Sequence, residues 1–150
     1  MAGVDITAKD TVVKGVNSPN NYIRSEAHLI DGAENSGILA AETHDLFKIG
    51  AGNALTALKV VSLADTTSSG SATVQFKVKI GANAEALHTA IGKADLAAGD
   101  VVDLPVGKIK AYDASNDTVI EVTVGTADLT ALKLLVIAEY IPVKAFMTAG

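Results

Sequence analysis

Val74-Gln-Phe-Lys-Val-Lys-Ile80 alternates apolar and polar residues without a break. A period of two places Val74, Phe76, Val78 and Ile80 on one face of a strand and Gln75, Lys77 and Lys79 on the other. On a helix the same four apolar residues would scatter around the axis, so the strand reading wins. The run Leu55-Thr-Ala-Leu-Lys-Val-Val-Ser-Leu63 also fits a strand, with looser alternation. Between the two, Asp65-Thr-Thr-Ser-Ser-Gly70 carries turn and loop chemistry. The stretch from Ala54 to Ile80 is therefore expected to form a central hairpin. A lone hairpin is marginal in water, so this one needs more strands around it.

The flanking sequence supplies them. Asp45-Leu-Phe-Lys-Ile49, Asp100-Val-Val-Asp-Leu104, Lys108-Ile-Lys-Ala-Tyr112, Thr118 to Val124 and Leu132 to Ile141 each read as short strands. Pro105 and Pro142 end two of them, and Pro105 confines its strand to an edge. Leu132 to Ile141 is apolar on both faces, as a central or covered strand would be. Glu85 to Ala98 reads as a short helical turn or a loop across the end of the sheets. About eight short strands separated by turn signals point to an all-β chain, a β-sandwich or barrel. Leu-Thr-Ala-Leu-Lys occurs at 55–59 and again at 129–133, but the order of the neighbouring strands does not repeat.

Composition agrees with a single folded domain. The chain has 150 residues, 49% of them apolar, which suffices for a buried core. Aromatics are only 4%, so the core must be aliphatic. A net charge of -5, with Arg24 as the one arginine, speaks against a nucleic-acid partner. The absence of cysteine rules out disulfide and thiolate-metal scaffolds. The N-terminal residues show no secretion-signal pattern, and the longest apolar run, Leu134 to Ala138, is far below the roughly 20 residues a membrane helix needs. The expectation is a soluble protein made in a cytoplasm, without a membrane partner.

Residues 1–40 read differently from residues 41–150, the expected sandwich. Breaker clusters at Asn17-Ser-Pro-Asn-Asn21 and Asp31-Gly-Ala-Glu-Asn-Ser-Gly37 separate the apolar pieces Val12-Val13, Tyr22-Ile23 and Leu29-Ile30. One reading is a frayed terminus with a strand near Tyr22 to Ile30. The other is an extended arm that orders against a neighbour, which gives the apolar pieces a use.

The motifs of catalysis and ligand binding are incomplete. Gly92-Lys93 lacks the earlier glycine and the following Ser or Thr of a phosphate loop. Gly50-Ala-Gly52 lacks the third glycine of a dinucleotide fingerprint. Asp113 to Asp117 lacks the glycine and distal glutamate of a helix-loop-helix calcium site, and reads as a turn. His28, His44 and His88 lie in separate segments without a metal-ligand spacing. No serine sits in a Gly-x-Ser-x-Gly turn. The chain is expected to be non-enzymatic and to carry no cofactor or metal.

Ile49-Gly-Ala-Gly-Asn-Ala-Leu-Thr-Ala-Leu-Lys-Val-Val-Ser62, the Ser/Thr/Gly turn after it, and Ala72-Thr-Val-Gln-Phe-Lys-Val78 resemble the small capsid decoration (cement) proteins of tailed bacteriophages. So does Asp128-Leu-Thr-Ala-Leu-Lys-Leu-Leu-Val-Ile-Ala-Glu-Tyr140. The resemblance covers roughly residues 44 to 141. It implies a jelly-roll-like β-sandwich, often trimeric, on the capsid exterior where major capsid subunits meet, with an N-terminal arm that latches neighbours. It carries no catalytic residues.

The residues support association on their own account. Leu135 and Ile137, on the outer face of the last strand, are expected to pack between subunits, with Phe146 near the terminus. Val12, Val13, Tyr22, Ile23 and Arg24 are expected to contact the capsid as part of the arm. Burying an aliphatic side chain is worth about 1.5–3 kcal/mol, so a few such contacts could hold a homotrimer. The alternative from another class is a carbohydrate-binding or adhesion sandwich of a phage fibre, for which this chain has few aromatic rings.

Overall fold

The computed structural model describes residues 23–107 and 109–143. It is a β-sandwich with eleven strands among those residues: β1 (Arg24–Asp31), β2 (Thr43–Ile49), β3 (Asn53–Ser62), β4 (Thr67–Ser68), β5 (Thr73–Ile80), β6 (Asn83–Ala86), β7 (Ile91–Gly92), β8 (Val101–Leu104), β9 (Thr118–Gly125), β10 (Leu129–Ala131) and β11 (Lys133–Pro142). Two 3-10 turns, Ser36–Leu39 and Lys93–Asp95, complete it.

Eight of these strands have four or more residues, and their pairing is nested. β1 pairs with β11, β2 with β9, β3 with β8, and β5 with β6, all antiparallel. The chain is in effect one long ribbon folded over on itself. The ribbon closes into two sheets of order β1-β11-β3-β8 and β2-β9-β5-β6, with β7 also on β5. Strands of the nested ribbon therefore alternate between layers, which is the jelly-roll arrangement. The short β4 and β10 pair with each other apart from the two main sheets.

The alternation in Val74 to Ile80 appears as read: Val74, Phe76, Val78 and Ile80 are buried, while Gln75, Lys77 and Lys79 face outward. The expected hairpin does not form. β3 and β5 lie in different sheets, and residues 63–72 carry the chain from one layer to the other. The physical reason is that each strand has one apolar face. Opposed across the core, Leu55, Leu58 and Val60 of β3 and the four residues of β5 all escape water. The crossing is pinned by the Ser62 hydroxyl and the Thr66 N–H, which both donate to the Leu96 carbonyl, at 3.0 Å each.

β11 is an inner strand between β1 and β3, which accounts for its two apolar faces. Its inward residues Leu134, Val136 and Ala138 are essentially inaccessible. β8 ends at Leu104, directly before Pro105, and is an edge strand as that proline requires. β2 carries a bulge between Asp45 and Phe47 against β9. Residues 109–112, within the expected strand Lys108–Tyr112, are irregular. Among the described residues the Leu55 N–H donates to the Ala111 carbonyl and the Gly52 N–H to the Asp113 carbonyl, which holds the segment along the start of β3. The ambiguous stretch 85–98 holds the end of β6, then β7 and a 3-10 turn. Gly81, at φ 62°, makes the tight reversal from β5 into β6 that a side chain would strain.

The expected boundary at residue 40 falls inside the folded body. Arg24–Asp31 pairs with β11 along its whole length, and Ile38 is buried in the core. Val12, Val13, Tyr22 and Phe146 lie outside the described residues.

Candidate docking face

The two outward faces of the sandwich differ. On the five-stranded side, β5 presents Gln75, Lys77 and Lys79 beside Thr123, Glu121 and Val119 of β9. Lys79 Nζ lies 2.9 Å from Glu121 and 3.2 Å from Asp45, so one lysine ties three strands together. The hydrogen bond to Glu121, then that to Asp45, raises the Lys79 pKa above its ordinary value. The Thr43 and Thr123 hydroxyls bond at 2.8 Å on the same side. This face is polar and paired within itself, closely enough that Glu121 is only 4% exposed.

The outward side of the β1-β11-β3-β8 sheet is built otherwise. Leu29 is opposite Leu135, Leu135 is opposite Val61, and Val61 is opposite Val101. Register thus sets an aliphatic row across all four strands. Leu29 is 55% exposed and Val101 62% exposed, at the two ends of the row. Leu63, 44% exposed, lies just beyond Val61. The next row is Ala27, Ile137, Lys59 and Asp103, in which Lys59 and Asp103 approach to 3.8 Å. The result is an aliphatic band with a paired acid and base at its margin.

Leu135 and Ile137, named from the sequence, both lie on this face and are half-buried by their neighbours. Leu29, Val61 and Val101 join Leu135 only through register, which the sequence does not show. Ile23 is 55% exposed just before β1, and Arg24 opens β1 opposite Tyr140.

A second cluster closes the side of the sandwich where β1 and β2 meet. The Tyr140 hydroxyl donates to Glu26 Oε2 at 2.6 Å, and His28 Nε2 lies 2.9 Å from Glu26 Oε1. The His28 ring stacks on Phe47 with centroids 3.9 Å apart. The hydrogen bond from Tyr140, then that from His28, lowers the Glu26 pKa; Glu26 in turn raises that of Tyr140. These groups seal an edge with hydrogen bonds where the core runs out of aliphatic residues. His44 bonds to the Ala40 carbonyl, and His88 to β5, so the three histidines are spread over the molecule. Asp113 uses Oδ1 to accept the Ser115 and Asn116 N–H groups, which holds the expected turn and lowers its pKa. Two adjoining grooves, of about 240 and 490 Å³, share Asn35, Ile38 and Asp45 between β1 and β2; the larger has the volume of a small-molecule site but lies open to solvent.

No family model matches the sequence, and no curated protein matches it. Among solved structures, a chain of the capsid of Ralstonia phage GP4 superposes with a TM-score of 0.55 at 16% identity, over 94% of this chain and 90% of that one. At that identity the likeness is one of fold alone.

Proposed function

We propose that this chain is a structural virion protein that binds the outer surface of a phage capsid and stabilises it by bridging major capsid subunits. The observation that carries the reading is the aliphatic row Leu29–Leu135–Val61–Val101, set against the self-paired polar face on the other side. One face fit for water and one fit for protein suit a molecule that lies on a shell. The fold-level likeness to a phage capsid chain adds support by analogy. On this reading the surface around Leu135 and Ile137 is shared between the capsid and the neighbouring copies of a homotrimer, and an N-terminal arm running up to the start of β1 makes further capsid contacts through Val12, Val13, Tyr22, Ile23 and Arg24.

The adhesion reading draws less support. Sugar platforms present aromatic rings to solvent. Among the described residues Phe76 is buried, and Phe47, Tyr112 and Tyr140 are half-buried.

The test is co-sedimentation of the purified protein with virus-like shells, assembled from major capsid protein, that lack it. Binding that saturates, and that raises the shells' thermal stability, is expected. A protein that stays in the supernatant at micromolar concentration would sink the reading. Light scattering after size exclusion tests the trimer separately: a 15.3 kDa monomer removes it.

A further inference from the structure

The two main sheets end in four edge strands, β1, β8, β2 and β6, and they are not alike. β6 and β8 are four residues long, and β2 is interrupted by its bulge. β1 has eight residues in unbroken register with β11, from Arg24 opposite Tyr140 to Asp31 opposite Lys133. Its other side pairs with no strand among the described residues. Edge strands are commonly blunted by lysine, proline, a bulge or an inward-pointing charge; Arg24–Asp31 has no lysine, proline or bulge, and its inward carboxylate, Glu26, is already paired with Tyr140 and His28. A long, regular edge whose inward charge is paired is a template for one more strand.

We infer that β1 pairs antiparallel with β1 of a second copy, about a two-fold axis normal to the sheet, with Ala27 opposite the partner's Ala27. Such an axis keeps each face on its own side, so opposite residues must share a face. Registers are then centred on a residue, and their chemistry separates them. Centring on Glu26 sets carboxylate against carboxylate. Centring on His28 sets imidazole against imidazole and Glu26 against Ile30. Centring on Leu29 sets His28 against Ile30 and Ala27 against Asp31. Centring on Ala27 sets Glu26 opposite the partner's His28, and His28 opposite the partner's Glu26. It also places Ser25 opposite the partner's Leu29, on the outward face.

The groups are placed to make those contacts. The side chains of His28 and Glu26 are 35% and 34% exposed, and Ala27 between them is exposed. Glu26 accepts from Tyr140 and pairs with His28 in its own chain, and a carboxylate has about four lone-pair sites. The pairing joins two four-stranded sheets into one of eight strands. It also leaves both aliphatic rows on the same side, so it does not compete with the docking face. The inference goes beyond the proposed function and does not depend on it: the β1 contact is a two-fold one, separate from the homotrimer contact proposed there.

Cysteine cross-linking tests it, because the chain has no cysteine of its own. Ala27→Cys is expected to oxidise to a covalent dimer at least tenfold faster than Ala86→Cys, which places a thiol on the exposed edge strand β6. A mixture of Ser25→Cys and Leu29→Cys chains is expected to give a mixed dimer faster than either chain alone, which reads the register. Ala27→Cys reacting no faster than Ala86→Cys would overturn the inference. So would a thiol already shielded from maleimide in a monomer, which would mean that the chain covers its own edge. Shielding only after capsid shells are added would give the edge to a capsid strand instead. Cross-linking without shell binding, or the reverse, separates this inference from the proposed function.

Discussion

The Phe76 N–H donates to His88 Nε2 at 3.0 Å, so a side chain completes the hydrogen bonding of a strand where its neighbours leave a gap. β6 covers β5 at Lys77–Ile80 and β7 covers it at Thr73–Val74. Phe76 falls between them. Around it the Leu87 N–H donates to the Phe76 carbonyl at 3.0 Å, and Gln75 Nε2 donates to the His88 carbonyl at 2.8 Å. Because Nε2 accepts, the proton of the neutral ring sits on Nδ1, facing the Thr89 carbonyl.

His88→Ala should therefore leave a strand N–H without its partner beside the fully buried Phe76 side chain. The bond is part-buried, so the expected loss is about 1 kcal/mol, the low end of the penalty for a donor left unmade. Urea unfolding measures it. Hydrogen exchange gives the local check: the Phe76 amide should exchange faster in the variant, while amides in β11 change only through global stability.

Leu134 and Leu135 are neighbours with opposite fates. Leu134 is 1% exposed in the core, while Leu135 is half-buried in the outward row. Leu134→Ala is expected to cost about 2–5 kcal/mol of folding stability, as core truncations do. Leu135→Ser should cost about 1 kcal/mol or less, yet weaken co-sedimentation with capsid shells at least tenfold. The pair of measurements, thermal unfolding and sedimentation, separates folding from docking. Equal binding by the Leu135 variant and the natural chain would remove the row from the interface.

How far these features could be read beforehand follows from their physics. The strand from Val74 to Ile80 was plain because alternation is local. The two-faced character of Leu132 to Ile141 was equally local, and it placed β11 inside its sheet. The partnership of β3 and β5 was misread because proximity in sequence suggests a hairpin, while nested pairing is a property of the whole ribbon. A strand near Tyr22 to Ile30 is one of the two readings of residues 1–40, and β1 matches it; its place in the sandwich is not legible, because the partners of Glu26 and His28, Tyr140 and Phe47, come from distant strands. The outward row was half visible: Leu135 stood out, but Leu29, Val61 and Val101 join it only through register.

Glu26 and Tyr140 predict a stability plateau with two shoulders. The hydrogen bonds from Tyr140 and His28 hold the Glu26 pKa below its ordinary 4.5. The unfolded chain then binds more protons in the acid range, so this contribution is full above about pH 4.5 and is lost as pH falls through the lower folded value. Tyr140 is raised above its ordinary 10.0 by the same bond, so its share is full below pH 10.0 and is lost as pH rises past the folded value. Glu26→Gln should flatten both shoulders relative to the natural chain in thermal unfolding scanned across pH. Asp113, also lowered, keeps an acid shoulder in both proteins, so the difference between them is the quantity to read. Parallel curves would mean that the bond contributes nothing to stability.

Thr126 holds φ at 71°, the one positive value outside glycine among the described residues. It follows Gly125, the last residue of β9, in the short turn before β10. The Ala127 N–H donates to the Gly125 carbonyl at 2.8 Å, so the turn closes across Thr126 itself. A β-branched side chain in the left-handed region costs roughly 1–2 kcal/mol, because its Cβ crowds the following carbonyl. Thr126 is exposed, so changing it disturbs no packing. Thr126→Gly removes the crowding but gives the unfolded chain more freedom, which cancels part of the gain. Thr126→Asn keeps a side chain and tolerates the left-handed region. Both should stabilise the protein, by about 0.5–1 kcal/mol, with Asn at least equal to Gly. Thr126→Val should give no gain, because it keeps the branch. Chemical denaturation of the three variants checks the order. Destabilisation by both Gly and Asn would show that the Thr126 side chain supports the turn.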